Sequence, residues 1–303
     1  LTNLNPTLIQ EANKARIMKE FSIPIDCVEK NGIFINKNYQ EFLQNTGLDS
    51  FEALWRCRAG QLIKDVRRRT VIRFVAADKG TEINFYLKLH KPGFKGLQAL
   101  TRSFFGSKNL SQGLLEFNNI CEFRKKGIST VIPVAAGEKS EGFFKIKSFL
   151  ITRDCHPYIS LETLMDKDPD FFKGQGGEKR KNMLLREVCR LAKKMHKAGF
   201  NHRDFNATHI LLYFKDQSGF PDTALFDLQR VEKLKFLRLR WKIKSLARLN
   251  YTLPDDLFNS GDRKNILLFY KGKDRFNFID RLEWLWIKKK TERIRRHTEK
   301  HYG

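Results

Sequence analysis

The apolar residues of this chain change period once, and that change limits the folds open to it. From Gln61 to Leu89 apolar side chains alternate with polar ones. Residues 62–66 and 70–76 read as two strands joined by a turn at Arg67, Arg68 and Arg69. A second turn, Asp78-Lys79-Gly80, leads into a third strand over 83–89. Its alternation sets Phe85, Leu87 and Leu89 on one face and Asn84, Tyr86 and Lys88 on the other. Residues 91–108, rich in Gly, Lys and aromatics, read as a loop with broken helix. A helix follows over 113–126, with Leu114, Leu115, Phe117, Ile120, Cys121 and Phe123 on its apolar side and Gly127 as its stop. Strands are predicted over 130–136 and 143–152. Beyond Asp154 the period is helical. Helices are expected over 160–167, 179–198, 233–250, 262–271 and 280–296, with strand and loop between 200 and 229. The reading is an α+β fold of two lobes: a strand-rich one at 61–153 and a helical one at 154–303 that ends in basic helices. Residues 1–60 form an N-terminal extension in which only Gly32-Ile33-Phe34-Ile35 stands out.

The chemistry-bearing residues fall in a fixed order on those elements. Lys88 lies on a strand, and Glu116 follows 28 positions later on a helix. His202-Arg203-Asp204 comes after the long helix, and His209-Ile210-Leu211-Leu212 begins five residues after Asp204. Ala224-Leu225-Phe226-Asp227 is an apolar strand ending in an acid. This order resembles the protein-kinase catalytic loop and its metal-binding strand, and so predicts a bilobal protein-kinase-like fold. Phosphoryl transfer needs such parts. A lysine neutralises nucleotide phosphates and an acid holds that lysine. A second acid binds magnesium, and a further carboxylate accepts the acceptor hydroxyl's proton. Each residue alone reads as structural; the joint order on the expected elements points to the chemistry.

Longer stretches carry a narrower resemblance. Tyr86-Leu87-Lys88-Leu89-His90, Glu116-Phe117, residues 148–152, Ile159-Ser160-Leu161-Glu162, residues 202–212 and residues 226–230 resemble the bacterial lipopolysaccharide core kinases of the WaaP type. The resemblance continues through 240–249 and 262–272 and covers about residues 60 to 275. It implies ATP-dependent phosphorylation of a sugar hydroxyl, a heptose before an octulosonate, in the lipopolysaccharide inner core, on the cytoplasmic face of the inner membrane. Carried over by position, Asp204 is the catalytic base. Lys88 contacts the ATP phosphates and Glu116 pairs with it. Thr152 to Asp154 is the hinge at adenine, which places Thr152 and Asp154 in the nucleotide set. Asp227 binds magnesium, with His209 either beside it on the metal or positioning Asp227 or a phosphate, because imidazole is a poor magnesium ligand.

Departures from protein kinases narrow the acceptor. No Gly-rich loop joins the first two strands, so phosphate contact there would use the side chains of Arg67, Arg68 and Arg69; a solvated hairpin tip is the plainer reading. His209 stands where protein kinases have Asn, as it does in the family resembled. Asp227 is followed by Leu228-Gln229-Arg230, and no Ala-Pro-Glu stretch comes after it. That favours a small or glycolipid acceptor without activation-loop control. Two alternatives stay open: a kinase of another small-molecule or protein acceptor, and a basic non-catalytic module that binds nucleic acid or membrane. The ordered acids and lysine count against the module, and nucleic acid is the less expected partner.

Charge sets the partners. Lys and Arg number 58 against 34 Asp and Glu, a net +24, which must face something acidic or strain the fold by self-repulsion. The run at 233–248 suits the carboxylates and phosphates of a lipopolysaccharide acceptor, and the run at 288–296 suits an anionic interface. Trp284 and Trp286 beside the second run suit an anionic inner-membrane surface, giving peripheral contact. The longest apolar runs fall far short of the roughly 20 residues of a membrane helix. Residues 1–14 carry no signal-peptide pattern, and the five scattered cysteines fit a reducing compartment, so the expectation is cytoplasmic.

Overall fold

A computed structural model describes residues 24–78, 81–91, 111–141, 145–215, 219–233 and 238–302. The chain divides into two units that meet in sequence at Cys155 and His156. Among its described residues the first holds seven strands: β1 (Cys27–Lys30), β2 (Ile33–Asn36), β3 (Gln61–Val66), β4 (Arg69–Asp78), β5 (Thr81–His90), β6 (Pro133–Ser140) and β7 (Ile146–Arg153). They form one antiparallel sheet in the order β1-β2-β6-β7-β5-β4-β3. The expected alternation governs β5: Ile83, Phe85, Leu87 and Leu89 are buried, while Asn84, Tyr86 and Lys88 are half-buried. Phe85 stacks on Phe42 at 4.7 Å, from the short helix α1 (Gln40–Asn45), and on Phe74 at 5.5 Å. A second short helix, α2 (Phe51–Arg56), is capped by Ser50. Strand β3 is exposed throughout, and its Asp65 pairs with Lys91 at 2.6 Å; charge on an edge strand discourages pairing with another chain.

Helix α3 (Gln112–Lys125) starts at Ser111, whose hydroxyl accepts from Leu114 N–H, and stops before Gly127 at φ 66°. Its first turn lies against β7, where Gly113 N–H donates to Ser148 Oγ at 3.2 Å. A Cβ on Gly113 would lie 2.4 Å from the Phe149 carbonyl oxygen, so this approach requires glycine. The strand expected from residue 130 begins only at Pro133. The reason is that Arg124, buried at the helix end, takes the Thr130 carbonyl at 3.0 Å and the Val131 carbonyl at 3.5 Å. The Lys79-Gly80 turn, the loop expected over 92–108 and the start of the 143–152 strand lie outside the described residues.

The second unit has five helices among its described residues: α4 (Leu161–Lys167), α5 (Gly177–Lys197), α6 (Arg238–Thr252), α7 (Ser260–Lys271) and α8 (Phe278–Tyr302). Its short strands are β8 (Ile159–Ser160), β9 (Phe200–His202), β10 (Ile210–Tyr213), β11 (Asp222–Leu225) and β12 (Val231–Lys233). Helix α5 buries Leu184, Leu185, Val188, Leu191, Ala192 and Met195 along one face. Lys233, expected in the helix over 233–250, lies instead in β12, opposite Phe200 of β9, and residues 234–237 lie outside the described residues. Helix α7 opens on a capping box between Asn259 and Asp262. In α8 the Asp280 N–H donates to Asn277 Oδ1 at 2.8 Å and Asp280 Oδ2 accepts from Asn277 N–H at 3.0 Å, so the helix begins at Phe278 rather than Asp280. No described helix is long and apolar enough to cross a membrane.

Two exposure expectations are corrected. Lys242, in the run at 233–248 expected to face an acceptor and so to be exposed, is only 13% exposed and bonds Glu283 at 2.7 Å. Glu283 also meets Lys271 at 2.7 Å, and Lys271 with Lys273 (2.9 Å) holds Asp280. Burial alone would raise the Asp280 carboxyl; Lys271, the Asn277 N–H and Lys273 hold it below the usual carboxylate range. This network ties α6, α7 and α8 together. Trp284 faces the same interior and is buried, whereas Trp286 is exposed, so the two tryptophans do not share a surface.

Gly113→Ala is expected to lower unfolding free energy by about 1–3 kcal/mol, the usual cost of overpacking. Denaturant melts of the two proteins read it; equal midpoints would show that the helix shifts away from β7 without cost.

Candidate active site

In the first unit the strand register sets Lys88 between Val71 of β4 and Leu150 of β7. Its Nζ lies 2.7 Å from Glu116 Oε1, and the Glu116 side chain is 1% exposed. Glu116 is reached because Gly113 lets the start of α3 close on β7. A buried ion pair gains little net stability, but removing one partner strands the other. Thr152 is buried on β7 opposite Tyr86. The next two N–H groups are engaged: Arg153 donates to Ile132 O at 2.9 Å and Asp154 to Asn84 O at 2.8 Å. Burial, then the Asp154 charge, pushes the Cys155 thiol up to about 12 against the opposing charge of Lys88. Burial and then Asp154 also raise Tyr86. Tyr86, Lys88, Asp154 and Cys155 therefore lie within electrostatic reach of one another.

In the second unit His202 is fully buried. Its Nδ1 accepts from Asp204 N–H at 3.0 Å, so Nε2 carries the proton and donates to Phe226 O at 3.2 Å. Burial, then the neighbouring His209, lowers its pKa to about 4. The Asp204 carboxylate accepts from Arg230 through both oxygens at 3.1 Å, and Arg248 stands 3.9 Å away. His209 Nδ1 donates to Asp204 O at 3.0 Å, which turns Nε2 toward Asp227 Oδ2, 3.7 Å away. The His209 ring stacks on His202 at 5.6 Å and meets the Phe226 ring edge-on at 5.2 Å. Asp227 itself sits in the left-handed region at φ 57°, ψ 54°, where Asp is among the residues best tolerated.

The loop is fixed from below. Asn206 Oδ1 accepts from His209 N–H at 3.2 Å, Thr208 Oγ1 donates to Glu162 at 2.9 Å, and Ala207 N–H donates to Thr252 Oγ1 at 3.0 Å. Arg203 N–H donates to Arg230 O at 3.0 Å, next to the β9–β12 ladder. That non-local pairing is what delivers Arg230 to Asp204, and no sequence signal announces it. Arg230 and Arg248 were legible only as basic residues. Around them Lys244 and Lys290 have lowered pKa values: burial acts first on both, then Arg240 on Lys244 and Arg293 on Lys290. The side of the unit at Asp204 is therefore a crowd of cations.

Among the described residues no three His, Cys, Asp or Glu side chains are grouped to hold a metal. The Asp227 carboxylate nonetheless fits magnesium, an ion that takes one or two carboxylates and completes its shell with phosphate and water, and His209 Nε2, 3.7 Å from Asp227 Oδ2, stands where it positions that carboxylate.

The Lipopolysaccharide kinase (Kdo/WaaP) family model matches residues 52–270. The lipopolysaccharide core heptose(I) kinase WaaP of Escherichia coli is 30% identical over 213 residues, which cover 68% of this chain and 75% of that protein. The heptose(I) kinase WaaP of Pseudomonas aeruginosa is 26% identical over 253 residues, 82% of this chain and 91% of the relative. A solved structure of WaaP in complex with acyl carrier protein superposes with a TM-score of 0.64 at 22% identity, covering 86% of this chain and 98% of that one. That likeness shows the protein-kinase-like fold.

The buried histidines predict a pH dependence. His196, whose pKa burial lowers to about 4, and His202 are neutral when folded and ordinary when unfolded. The unfolded chain binds more protons between pH 6.5 and 4, so stability is complete above 6.5 and falls as pH drops through that window. The upper bound is about 3 kcal/mol per histidine. Urea midpoints at pH 7.5 and 5.0 measure the loss, and His196→Gln is expected to remove about half of it; an unchanged pH dependence would assign the titration elsewhere.

Proposed function

This chain belongs to the lipopolysaccharide kinase (Kdo/WaaP) family, and from that premise we propose that it transfers the γ-phosphoryl group of ATP to a heptose hydroxyl of the lipopolysaccharide inner core. The observation that carries the proposal is the Asp204 carboxylate, held by Arg230 with Arg248 beside it, next to the His209–Asp227 pair. A free carboxylate oxygen direction accepts the heptose hydroxyl proton as the oxygen attacks phosphorus. Arg230 and Arg248 orient that carboxylate and offer guanidinium forks to acceptor anions. Asp227, with His209 aimed by its bond to Asp204 O, would hold magnesium, which supplies charge neutralisation at the phosphates. Lys88, fixed by Glu116, serves the nucleotide phosphates in the first unit. The Arg153 and Asp154 N–H groups already have partners, so adenine contact at the hinge would fall to carbonyl oxygens and to neighbouring groups.

The crowd of Lys244, Arg248, Lys290 and their neighbours is the acceptor side, matched to the acidic octulosonate carboxylates and lipid A phosphates that flank the heptose. A cation whose pKa is lowered by other cations gains most from an arriving polyanion. The work takes place on the cytoplasmic face of the inner membrane, where this acceptor lies in an anionic surface.

Asp204→Asn is expected to stay folded and lose about 10²–10⁴-fold in phosphoryl transfer to purified lipopolysaccharide; near-normal turnover would end the assignment. Asp227→Ala should weaken ATP binding with magnesium more than without it, and Lys88→Ala should weaken both, by titration of each variant. Lys244→Glu with Lys290→Glu should raise the acceptor KM and leave the ATP KM nearly unchanged, with added salt weakening acceptor use of the wild type. A rise confined to the ATP KM would place these lysines at the nucleotide.

A further inference from the structure

Helix α8 presents two unlike faces over a length of about 37 Å at 1.5 Å per residue. Its inner face is anchored: Asp280 and Glu283 enter the lysine network, Trp284 and Ile287 are buried, and Thr291 accepts from Asn250 at 3.0 Å. The outer face begins with Phe278, Ile279, Leu282, Leu285 and Trp286, each between 51% and 74% exposed. At helical spacing these five share one side. The same side continues, beyond Trp286, with exposed Lys289, Arg293, Arg296 and Lys300. Single exposed apolar residues need no explanation, but five contiguous large ones do.

We propose that this face is a docking surface for an anionic lipid bilayer. The helix lies along the membrane plane, with Phe278, Leu282 and Trp286 in the boundary between headgroups and acyl chains. Lys289, Arg293 and Lys300 meet the acidic headgroups beside them. Charge complementarity selects this occupant. A second copy would bring two chains of +24 together with their basic rows at the contact. A bilayer supplies apolar depth and negative charge side by side, in the order the helix presents them. The surface deepens the proposed function, resting on it only in that a membrane-borne acceptor needs an enzyme at the membrane; its physics stands apart from the kinase chemistry.

The test uses the whole protein. Wild type should sediment with phosphatidylglycerol–phosphatidylethanolamine vesicles at least tenfold more strongly than with phosphatidylcholine vesicles. Tryptophan emission should shift to the blue on binding, and Trp286→Phe should remove most of that shift. Leu282→Glu with Trp286→Glu should lower binding tenfold or more at every salt concentration. Lys289→Glu with Lys300→Glu should lower it about 25-fold or more in low salt and little in high salt, since each basic residue near an anionic surface contributes roughly fivefold. Both pairs should keep the wild-type urea midpoint, which shows that they fold, and the Leu282/Trp286 pair should phosphorylate a soluble, deacylated inner-core oligosaccharide at the wild-type rate. Equal vesicle binding by wild type and the Leu282/Trp286 pair overturns the proposal. So does a wild-type dimer that ignores vesicles and that Leu282→Glu dissolves, or capture of an acidic protein in place of lipid. A protein that binds vesicles as described yet phosphorylates no acceptor overturns the enzymatic reading and leaves this surface standing.

Discussion

One buried neutral imidazole holds the second unit's site in register. His202 has both nitrogens engaged, one by the backbone of Asp204 and the other by the carbonyl just before Asp227. It therefore sets the distance between the loop that carries one acid and the turn that carries the other. A proton on Nδ1 would replace an acceptor with a donor facing the Asp204 N–H, and both contacts could not survive. Burial keeps that proton off, which makes the dry surroundings of His202 part of the site. His209 repeats the device one layer out: its bond to the Asp204 carbonyl fixes which nitrogen faces Asp227.

Polar groups extend this order into the helical core. Tyr270 bonds His196, His196 bonds Ser245, Ser245 donates to Asn201, and Asn201 donates to Glu232, which lies 3.6 Å from Arg203. The chain runs from α7 through α5 and α6 to the β9–β12 ladder. Each member satisfies the next, so the buried polar atoms cost little and leave one arrangement. The left-handed backbone at Asp227 belongs to the same design. It turns the chain so that a single 3-10 turn returns Arg230 to Asp204, where protein kinases would run on through Phe-Gly.

The fold was legible wherever pattern is local. Alternation along β5 and the heptad-like stripe of α5 gave two elements and their buried faces, and Lys88 and Glu116 stand on the elements their spacing implies. Residues 27–36 were not legible, because four-residue strands are too short to show a period, yet they supply β1 and β2 of the sheet. Lys233 was misplaced because helical spacing of its neighbours hid a three-residue ladder with β9. Arg230 and Arg248 reach Asp204 through strand pairing and helix packing, across separations no spacing rule covers. Trp284 and Trp286 looked alike in sequence; helix phase, two residues apart, sends one inward and the other out.

The excess of positive charge divides into two populations with different physics. Lys88, Lys181, Lys242 and Lys271 are largely buried and bonded to carboxylates, so each is neutralised within the fold. Lys244 and Lys290 instead sit half-buried among other cations, in surroundings that cost stability until an anion arrives. A chain selected only for solubility would scatter such residues apart. Their gathering on α6 and α8, the helices fastened to each other by Lys242 and Glu283, means the same ionic anchor positions both the cationic surface near Asp204 and the apolar face of α8. The cationic surface near Asp204 and the apolar face of α8 are thus presented by one rigid pair of helices, so a change that loosens the anchor must disturb both together.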